Sequence, residues 1–173
     1  ITKGNMAKFK ITGQKKLNGD FYVSGAKNAA LKMLAASVMI KGKTVLHNVP
    51  KILDIDRMIE VIESLGAKTH FEKNTLTIDS TNINSFSPDE DPVKKLRGSV
   101  VIIGPLLSRF GKAIFSEPGG CLIGSRPIDT HLSAFSSMGV EISRNEEKEF
   151  YSLSTTDKFN SSDLSVVLEE MSV

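Results

Sequence analysis

The order of apolar and polar residues predicts a chain in which short strands alternate with helices. Runs that alternate apolar and polar residues are typical of half-buried strands, whereas apolar residues recurring every three or four positions are typical of amphipathic helices. Turns containing Gly or Asn separate these runs. The predicted strands are residues 9–12, 21–24, 44–49, 68–72, 75–79, 113–116, 140–143 and 150–154, and the predicted helices are residues 26–40, 92–103 and 129–138, with another helix that Asp54 or Asp56 caps and Gly66 ends.

The later part of this series repeats the earlier part, and some residues repeat with it. Gly42-Lys43 at the start of one strand returns as Gly111-Lys112 at the start of another. Self-similarity of this kind is typical of a duplicated unit. We therefore expect residues 26–79 and 92–154 to form equivalent units with the same strand order. A third, incomplete unit is expected to begin near Phe159.

Composition and charge narrow the class of protein. The chain has 173 residues, of which 22 are basic and 20 acidic, and a net charge of +2 is too balanced for a nucleic-acid-binding face. A single cysteine excludes a disulfide framework and a cysteine-based zinc site. No apolar stretch is long enough to cross a membrane, and the start of the chain does not resemble a signal peptide. We expect a soluble cytoplasmic protein, with residues 1–5 an extension in front of Met6.

A Gly-rich loop in the second unit holds the only cysteine. Residues 119–127 are placed between a strand and the next helix, where the first unit has fewer residues. Glycines surround Cys121, and Arg126 and a helix N-terminus follow it. Because a cation and a helix N-terminus both stabilise a thiolate, we expect a reactive and accessible thiol. A buried, inert cysteine is the alternative.

Lys27 and Asn28 lie where the predicted strand 21–24 turns through Gly25 into the first helix. A cation is unfavourable at a helix N-terminus unless an anion binds there, so Lys27 is a candidate anion ligand. The alternative is an exposed lysine on the first turn. A Walker-type phosphate loop is excluded at this position, because Gly25 and Lys27 are not adjacent and Asn28 replaces the Ser or Thr.

Arg97 precedes Gly98 in a predicted helix. Glycine inside a helix costs about 1 kcal/mol relative to alanine, which indicates close approach of another group to this backbone. Taken alone, Arg97 is more typical of an ordinary surface arginine. The cations Lys27 and Arg126, with the thiol of Cys121 between them in the chain, favour a small and strongly anionic substrate such as a phosphorylated carboxylate.

Three motifs resemble those of one enzyme family. They are Ser24-Gly25-Ala26-Lys27-Asn28-Ala29-Ala30-Leu31, then Asn48-Val49-Pro50 with Asp54-Ile55-Asp56, and the loop from Pro118 to His131. On these motifs the chain resembles the UDP-N-acetylglucosamine 1-carboxyvinyltransferases, whose members are more than twice this long. The resemblance implies an α/β fold, the inside-out α/β barrel of the enolpyruvyl transferases, built from repeated βαβαββ-like units.

The activity that the resemblance implies is transfer of the enolpyruvyl group of phosphoenolpyruvate to the 3-hydroxyl of UDP-N-acetylglucosamine, with release of phosphate. It is the first committed step of peptidoglycan synthesis, an addition–elimination without metal or organic cofactor. Cys121 matches the general acid, which forms an adduct with phosphoenolpyruvate and is alkylated by fosfomycin. The resemblance implies that the general base is an Asp of the C-terminal half. Residues 6–20 are expected to associate with that second domain, and residues 21–173 to form an incomplete first domain.

The resemblance also implies a set of substrate-binding residues. Lys27 and its neighbour Asn28 match residues at the phosphate of phosphoenolpyruvate, and Arg126 matches an arginine that meets the same anion. Arg97 matches a ligand of the UDP-sugar. The other residues expected at the UDP-sugar are Pro127, Ile128, Asp129, Thr130, Met171, Ser172 and Val173.

Two residues depart from the family pattern, and three alternative functions remain open. Glu170 stands where a lysine is often found, and Val101 stands where some members have a bulky aromatic residue. One alternative is the sister enzyme enolpyruvylshikimate-phosphate synthase, which lacks the Lys-Asn pair and the loop cysteine. The others are a non-catalytic nucleotide-sugar-binding protein and a thiol-based redox protein. Neither nucleic acid nor a membrane is expected as a partner.

Overall fold

Two similar series of helices and strands follow one another along the chain. The computed structural model describes residues 9–119, 128–147 and 149–155. The helices are α1 (Lys27–Ser37), α2 (Leu53–Ser64), α3 (Glu90–Lys95), a 3-10 helix (Arg97–Ile102), α4 (Ile103–Phe110) and α5 (Asp129–Ser137). The strands are β1 (Lys43–Leu46), β2 (Lys68–Glu72), β3 (Thr75–Asp79), β4 (Lys112–Ser116), β5 (Glu141–Asn145) and β6 (Phe150–Ser154).

The strands form two antiparallel sheets with the same topology. Their orders are β1-β3-β2 and β4-β6-β5, so the last strand of each series lies in the middle. Val45 and Ile114, which the sequence repeat makes equivalent, pair with Thr77 and Ser152 of the two middle strands. The strand order that a duplication requires is therefore confirmed.

A single apolar core runs through both units, among the helices and the inward faces of the sheets. The alternating burial of β3 and β6 sends Leu76, Ile78 and Leu153 inward, while the residues between them are partly exposed. One stripe of α2, which includes Ile55 and Met58, is completely buried in the same core. Burial of such side chains stabilises the fold by about 1.5–3 kcal/mol each.

The two strands predicted before α1 are absent, so this part of the prediction is wrong. Residues 9–12 and 21–24 have no regular secondary structure. Their large side chains are exposed, Phe9 by 97% and Tyr22 by 95%. A strand needs a neighbouring strand to accept its hydrogen bonds, and no strand of the described residues pairs with this segment. Each unit, as described, is therefore αβαββ rather than βαβαββ.

The helix predicted over residues 92–103 is also wrong in detail, because three short helices stand there. Leu96 is extended (φ −132°, ψ 106°) and separates α3 from the 3-10 helix. A Cβ added to Gly98 would lie 3.2 Å from Cδ1 of Leu31 in α1. The close approach predicted at Gly98 is thus confirmed, and the helix is broken beside it.

The start of α2 differs from the prediction as well. Its N-cap is Ile52, which has no side-chain cap hydrogen bond, and Asp54 and Asp56 lie inside the first turn. They favour the helix by their charge at the positive end of its dipole rather than as caps.

The hairpin of β2 and β3 has the predicted bounds. Within the described residues, no helix is long and apolar enough to cross a membrane.

Candidate active site

The site is built on a close crossing of two backbone segments. A Cβ on Gly25 would lie 1.8 Å from the carbonyl oxygen of Asn48 and 3.4 Å from Cδ of Pro50. Asn48 itself has a positive φ of 56°, and the next amide, that of Val49, donates to the carbonyl of Asn74 at 2.9 Å. The segment that leads into α2 is thereby fixed across the start of α1. This crossing places the N-termini of α1 and α2 side by side.

Lys27 and Asp54 meet at this junction. Lys27 is the first residue of α1 and Asp54 the second residue of α2, and Nζ of Lys27 donates to Oδ2 of Asp54 at 2.6 Å. The two side chains are 48% and 38% exposed. A pair this exposed contributes about 0–1 kcal/mol to stability. Its importance therefore lies in where it holds the ammonium group.

The N-terminus of α1 has the features of an anion site. Its N-cap, Ala26, makes no side-chain cap hydrogen bond, and the first turn contains no acidic residue. The exposed Asn28 follows Lys27 in that turn. The positive end of the helix dipole and the lysine ammonium therefore lie together, which suits a phosphate or carboxylate.

Arg97 begins the 3-10 helix, which packs on α1. The contact runs from Gly98 to Leu31, which stands one helical turn after Lys27 on α1. The sequence predicts Arg97 inside a long helix. In the structure it directly follows the break at Leu96 and is the first residue of the 3-10 helix. Arg97 thus lies on the element that neighbours the helix carrying Lys27.

The second unit places further candidate residues at the start of α5. Ile128 is its N-cap, and Asp129 and Thr130 are in its first turn. Ile128 is 3% exposed and packs in the apolar core, so its backbone rather than its side chain is available to a ligand. On the other side of the loop, a Cβ on Gly119 would lie 2.2 Å from the carbonyl oxygen of Lys94. Both ends of the cysteine loop are therefore anchored to the fold.

Six of the candidate residues lie outside the described residues. They are Cys121, Arg126, Pro127, Met171, Ser172 and Val173. The structure brings Lys27 and Asn28 together at one helix start and places Arg97 on the helix packed beside it.

Asp54 is the residue whose position at the site sequence reasoning missed. The sequence predicts Asp54 only as a cap for α2 and as part of a motif. It gives no sign of contact with Lys27, because 27 positions separate the two residues. A signal was present in the lysine itself, because a cation at a helix N-terminus implies an anionic neighbour.

Comparison with known proteins identifies the family. Residues 11–172 match the family described as EPSP synthase (3-phosphoshikimate 1-carboxyvinyltransferase). The chain belongs to this family. Within the EPSP synthase family, the chain is 49% identical over 132 residues to the UDP-N-acetylglucosamine 1-carboxyvinyltransferase of Campylobacter fetus subsp. fetus, covering 76% of this chain and 32% of that protein. It is 47% identical over 137 residues to the protein of the same name from Psychrobacter arcticus. This match covers 79% of this chain and 32% of that protein.

Two solved structures have the same fold as this chain. The enolpyruvyl transferase NikO from Streptomyces tendae matches with a TM-score of 0.70 at 23% identity, over 83% of this chain and 31% of that one. EPSP synthase from Acinetobacter baumannii matches with a TM-score of 0.55 at 16% identity, over 80% and 32%. The predicted α/β fold of the enolpyruvyl transferase type is confirmed. The chain spans about a third of the length of the curated relatives that it matches.

Proposed function

We propose that this chain forms the N-terminal third of an enzyme that transfers the enolpyruvyl group of phosphoenolpyruvate to the 3-hydroxyl of UDP-N-acetylglucosamine. The observation that carries the proposal is the position of the Lys27 ammonium group at the uncapped start of α1. The curated relatives that the chain matches are named as enzymes of this activity. We refer below to the whole polypeptide as the complete enzyme. Its reaction opens peptidoglycan synthesis.

The anionic substrate fits the residues at the first helix. Phosphoenolpyruvate carries a phosphate and a carboxylate, and burying these charges needs several cations and N–H donors. Lys27, Asn28 and the first turn of α1 bind the phosphate, and Arg126 binds the same anion from the cysteine loop. Arg97, the residues from Pro127 to Thr130 and those from Met171 to Val173 contact the UDP-sugar.

The reaction is an addition followed by an elimination. The thiol of Cys121 gives a proton to the methylene carbon of phosphoenolpyruvate while the sugar oxygen bonds to the neighbouring carbon. A base removes the proton of the sugar hydroxyl, and a tetrahedral intermediate results. Loss of a proton from the new methyl group then expels phosphate and restores the double bond. A thiol with this reactivity is also the site that fosfomycin alkylates.

The choice of acceptor distinguishes the proposal from its nearest alternative. The complete enzyme is incubated with phosphoenolpyruvate and either UDP-N-acetylglucosamine or shikimate 3-phosphate, and phosphate release is followed. We expect release with the UDP-sugar only, and the enolpyruvyl product should be identified by mass. Release with shikimate 3-phosphate instead would assign the sister activity. Binding of the UDP-sugar without any phosphate release would mean that the protein is not a transferase.

A further inference from the structure

Asp54 forms an ion pair with Lys27, and this ion pair does more than stabilise the fold. The pair is largely exposed, and the crossing at Gly25 and Asn48 fixes the two helix starts without it. The position of Lys27, in contrast, is not fixed by packing, because its side chain is long and half exposed. Among the described residues, its ammonium group contacts the carboxylate of Asp54.

The geometry points to Asp54 as the positioning residue for Lys27. This inference rests on the proposed function, since it concerns the phosphate that Lys27 binds there. A lysine ammonium has three N–H donors, and Asp54 accepts one of them. The remaining two point away from Asp54 and serve the phosphate oxygens. The carboxylate therefore holds the ammonium at the start of α1 and shares it with the substrate.

The place of Asp54 in its own helix supports this role. It lies in the first turn of α2, where the helix dipole stabilises a carboxylate. Lys27 lies in the first turn of α1, where the dipole disfavours a cation and leaves it dependent on nearby negative charge. The two helix starts thus compensate each other across the junction. When phosphate binds, Lys27 meets a second anion without having to leave the first.

The test uses the complete enzyme with Asp54→Asn, which keeps the size of the side chain and removes its charge. Asp54→Glu keeps the charge on a longer side chain, and Asp56→Asn is the matched control. Asp56 lies in the same first turn of α2, and among the described residues it makes no ion pair. Both Asn variants remove a carboxylate from the first turn of α2 and so weaken its dipole interaction, but only Asp54→Asn also removes the charged partner of Lys27.

We expect Asp54→Asn to raise the KM for phosphoenolpyruvate about tenfold, because the amide oxygen can still accept from Lys27 but the charge that strengthens this hydrogen bond is lost. The KM for UDP-N-acetylglucosamine should change less than about twofold. In Asp56→Asn, the KM values for both substrates should also change less than about twofold. Asp54→Glu should recover most of the affinity. In a Lys27→Ala background, Asp54→Asn should add nothing to the dissociation constant of phosphoenolpyruvate measured by calorimetry, because a residue that acts through Lys27 has no separate effect.

An unchanged or lowered KM for phosphoenolpyruvate in Asp54→Asn would overturn the inference, and the lowered value would mean that Asp54 competes with phosphate. Equal rises in the KM values for phosphoenolpyruvate and UDP-N-acetylglucosamine would also overturn the inference, since they would indicate that the substitution disturbs the whole active site. If the wild-type complete enzyme releases no phosphate at all, the proposed function fails instead. The two failures are therefore distinguishable.

Discussion

Lys27 occupies a position that is unfavourable for a cation, and this position makes it a candidate site residue. Its position at a helix start follows from local sequence alone, because Gly25 and the Ala- and Leu-rich stretch after it fix where α1 begins. The residue that stabilises it could not be predicted in the same way. Asp54 is brought to 2.6 Å only by the backbone crossing at Asn48, which depends on tertiary structure.

The first prediction at the residue scale concerns Cys121. In the complete enzyme, Cys121→Ser should lower kcat by about 10²–10⁴, the usual contribution of a general acid, because a hydroxyl is a poor proton donor at neutral pH. Cys121→Asp keeps an acidic proton donor and should retain activity. Steady-state phosphate release measures both.

Fosfomycin provides the control for this residue. The wild-type enzyme should lose activity with time in its presence, while Cys121→Asp should be unaffected, because it has no thiol to alkylate. Mass spectrometry should place the adduct on Cys121. Full activity of Cys121→Ser, or labelling no faster than that of a free thiol, would contradict the assigned role.

At the scale of elements, sequence predicts best where the pattern is local. The hairpin of β2 and β3 has the bounds predicted from alternation, because a two-residue turn joins its strands. The helix predicted over residues 92–103 failed because its apolar spacing continues through the break at the extended Leu96, after which Gly98 approaches Leu31. Residues 9–12 failed as a strand because pairing is a tertiary property.

The crossing of α1 and the segment before α2 gives the second prediction. Gly25→Ala should destabilise the complete enzyme by at least about 1–3 kcal/mol, because the new methyl would overlap the carbonyl oxygen of Asn48. Gly42→Ala is the control, since the nearest atom to its added Cβ is 4.0 Å away. Thermal unfolding and the KM for phosphoenolpyruvate should change in the first variant and not in the second. Equal melting temperatures for both would contradict the tight crossing.

Arg109 of α4 gives the third prediction, because it joins the two units. Its guanidinium donates to the carbonyl oxygens of Val38, Ser80 and Ile83 at 2.7, 3.0 and 3.1 Å. Lysine lacks the planar fork that reaches several acceptors at once. Arg109→Lys should therefore destabilise the protein by about 1–3 kcal/mol, since buried carbonyls lose their donors.

A matched control for Arg109 is available on the surface. Arg144 forms an exposed ion pair with Glu117 at 3.2 Å, so Arg144→Lys should change the free energy of unfolding by less than about 1 kcal/mol. Urea unfolding of the complete enzyme, followed through the earliest transition, compares the two variants. If they lose equal stability, Arg109 does not join the units as described.

At the scale of the whole molecule, duplication places candidate site residues on equivalent frameworks in the two units. The same strand order supports α1 and α2 in one unit and α5 in the other. The repeat itself was readable in the sequence, from Gly42-Lys43 and Gly111-Lys112. The residues that we propose for catalysis interrupt the repeat in the sequence, because they lie in the longer loop before α5 that holds the cysteine.

The last prediction is that a polypeptide of these 173 residues alone does not catalyse the transfer. Holding two substrates in one water-excluded geometry can supply roughly 7–11 kcal/mol of the barrier, and it needs walls on both sides of the cleft. The chain corresponds to 32% of its matched relatives, and the resemblance assigns the general base to the C-terminal half. Exposed side chains such as Phe9 and Tyr22 also lack a covering surface among the described residues, which favours association. Phosphate release should be absent from the 173-residue polypeptide, verified by intact mass, and present in the complete enzyme at the same concentration. Turnover by the shorter polypeptide would place the base and the second wall within this chain.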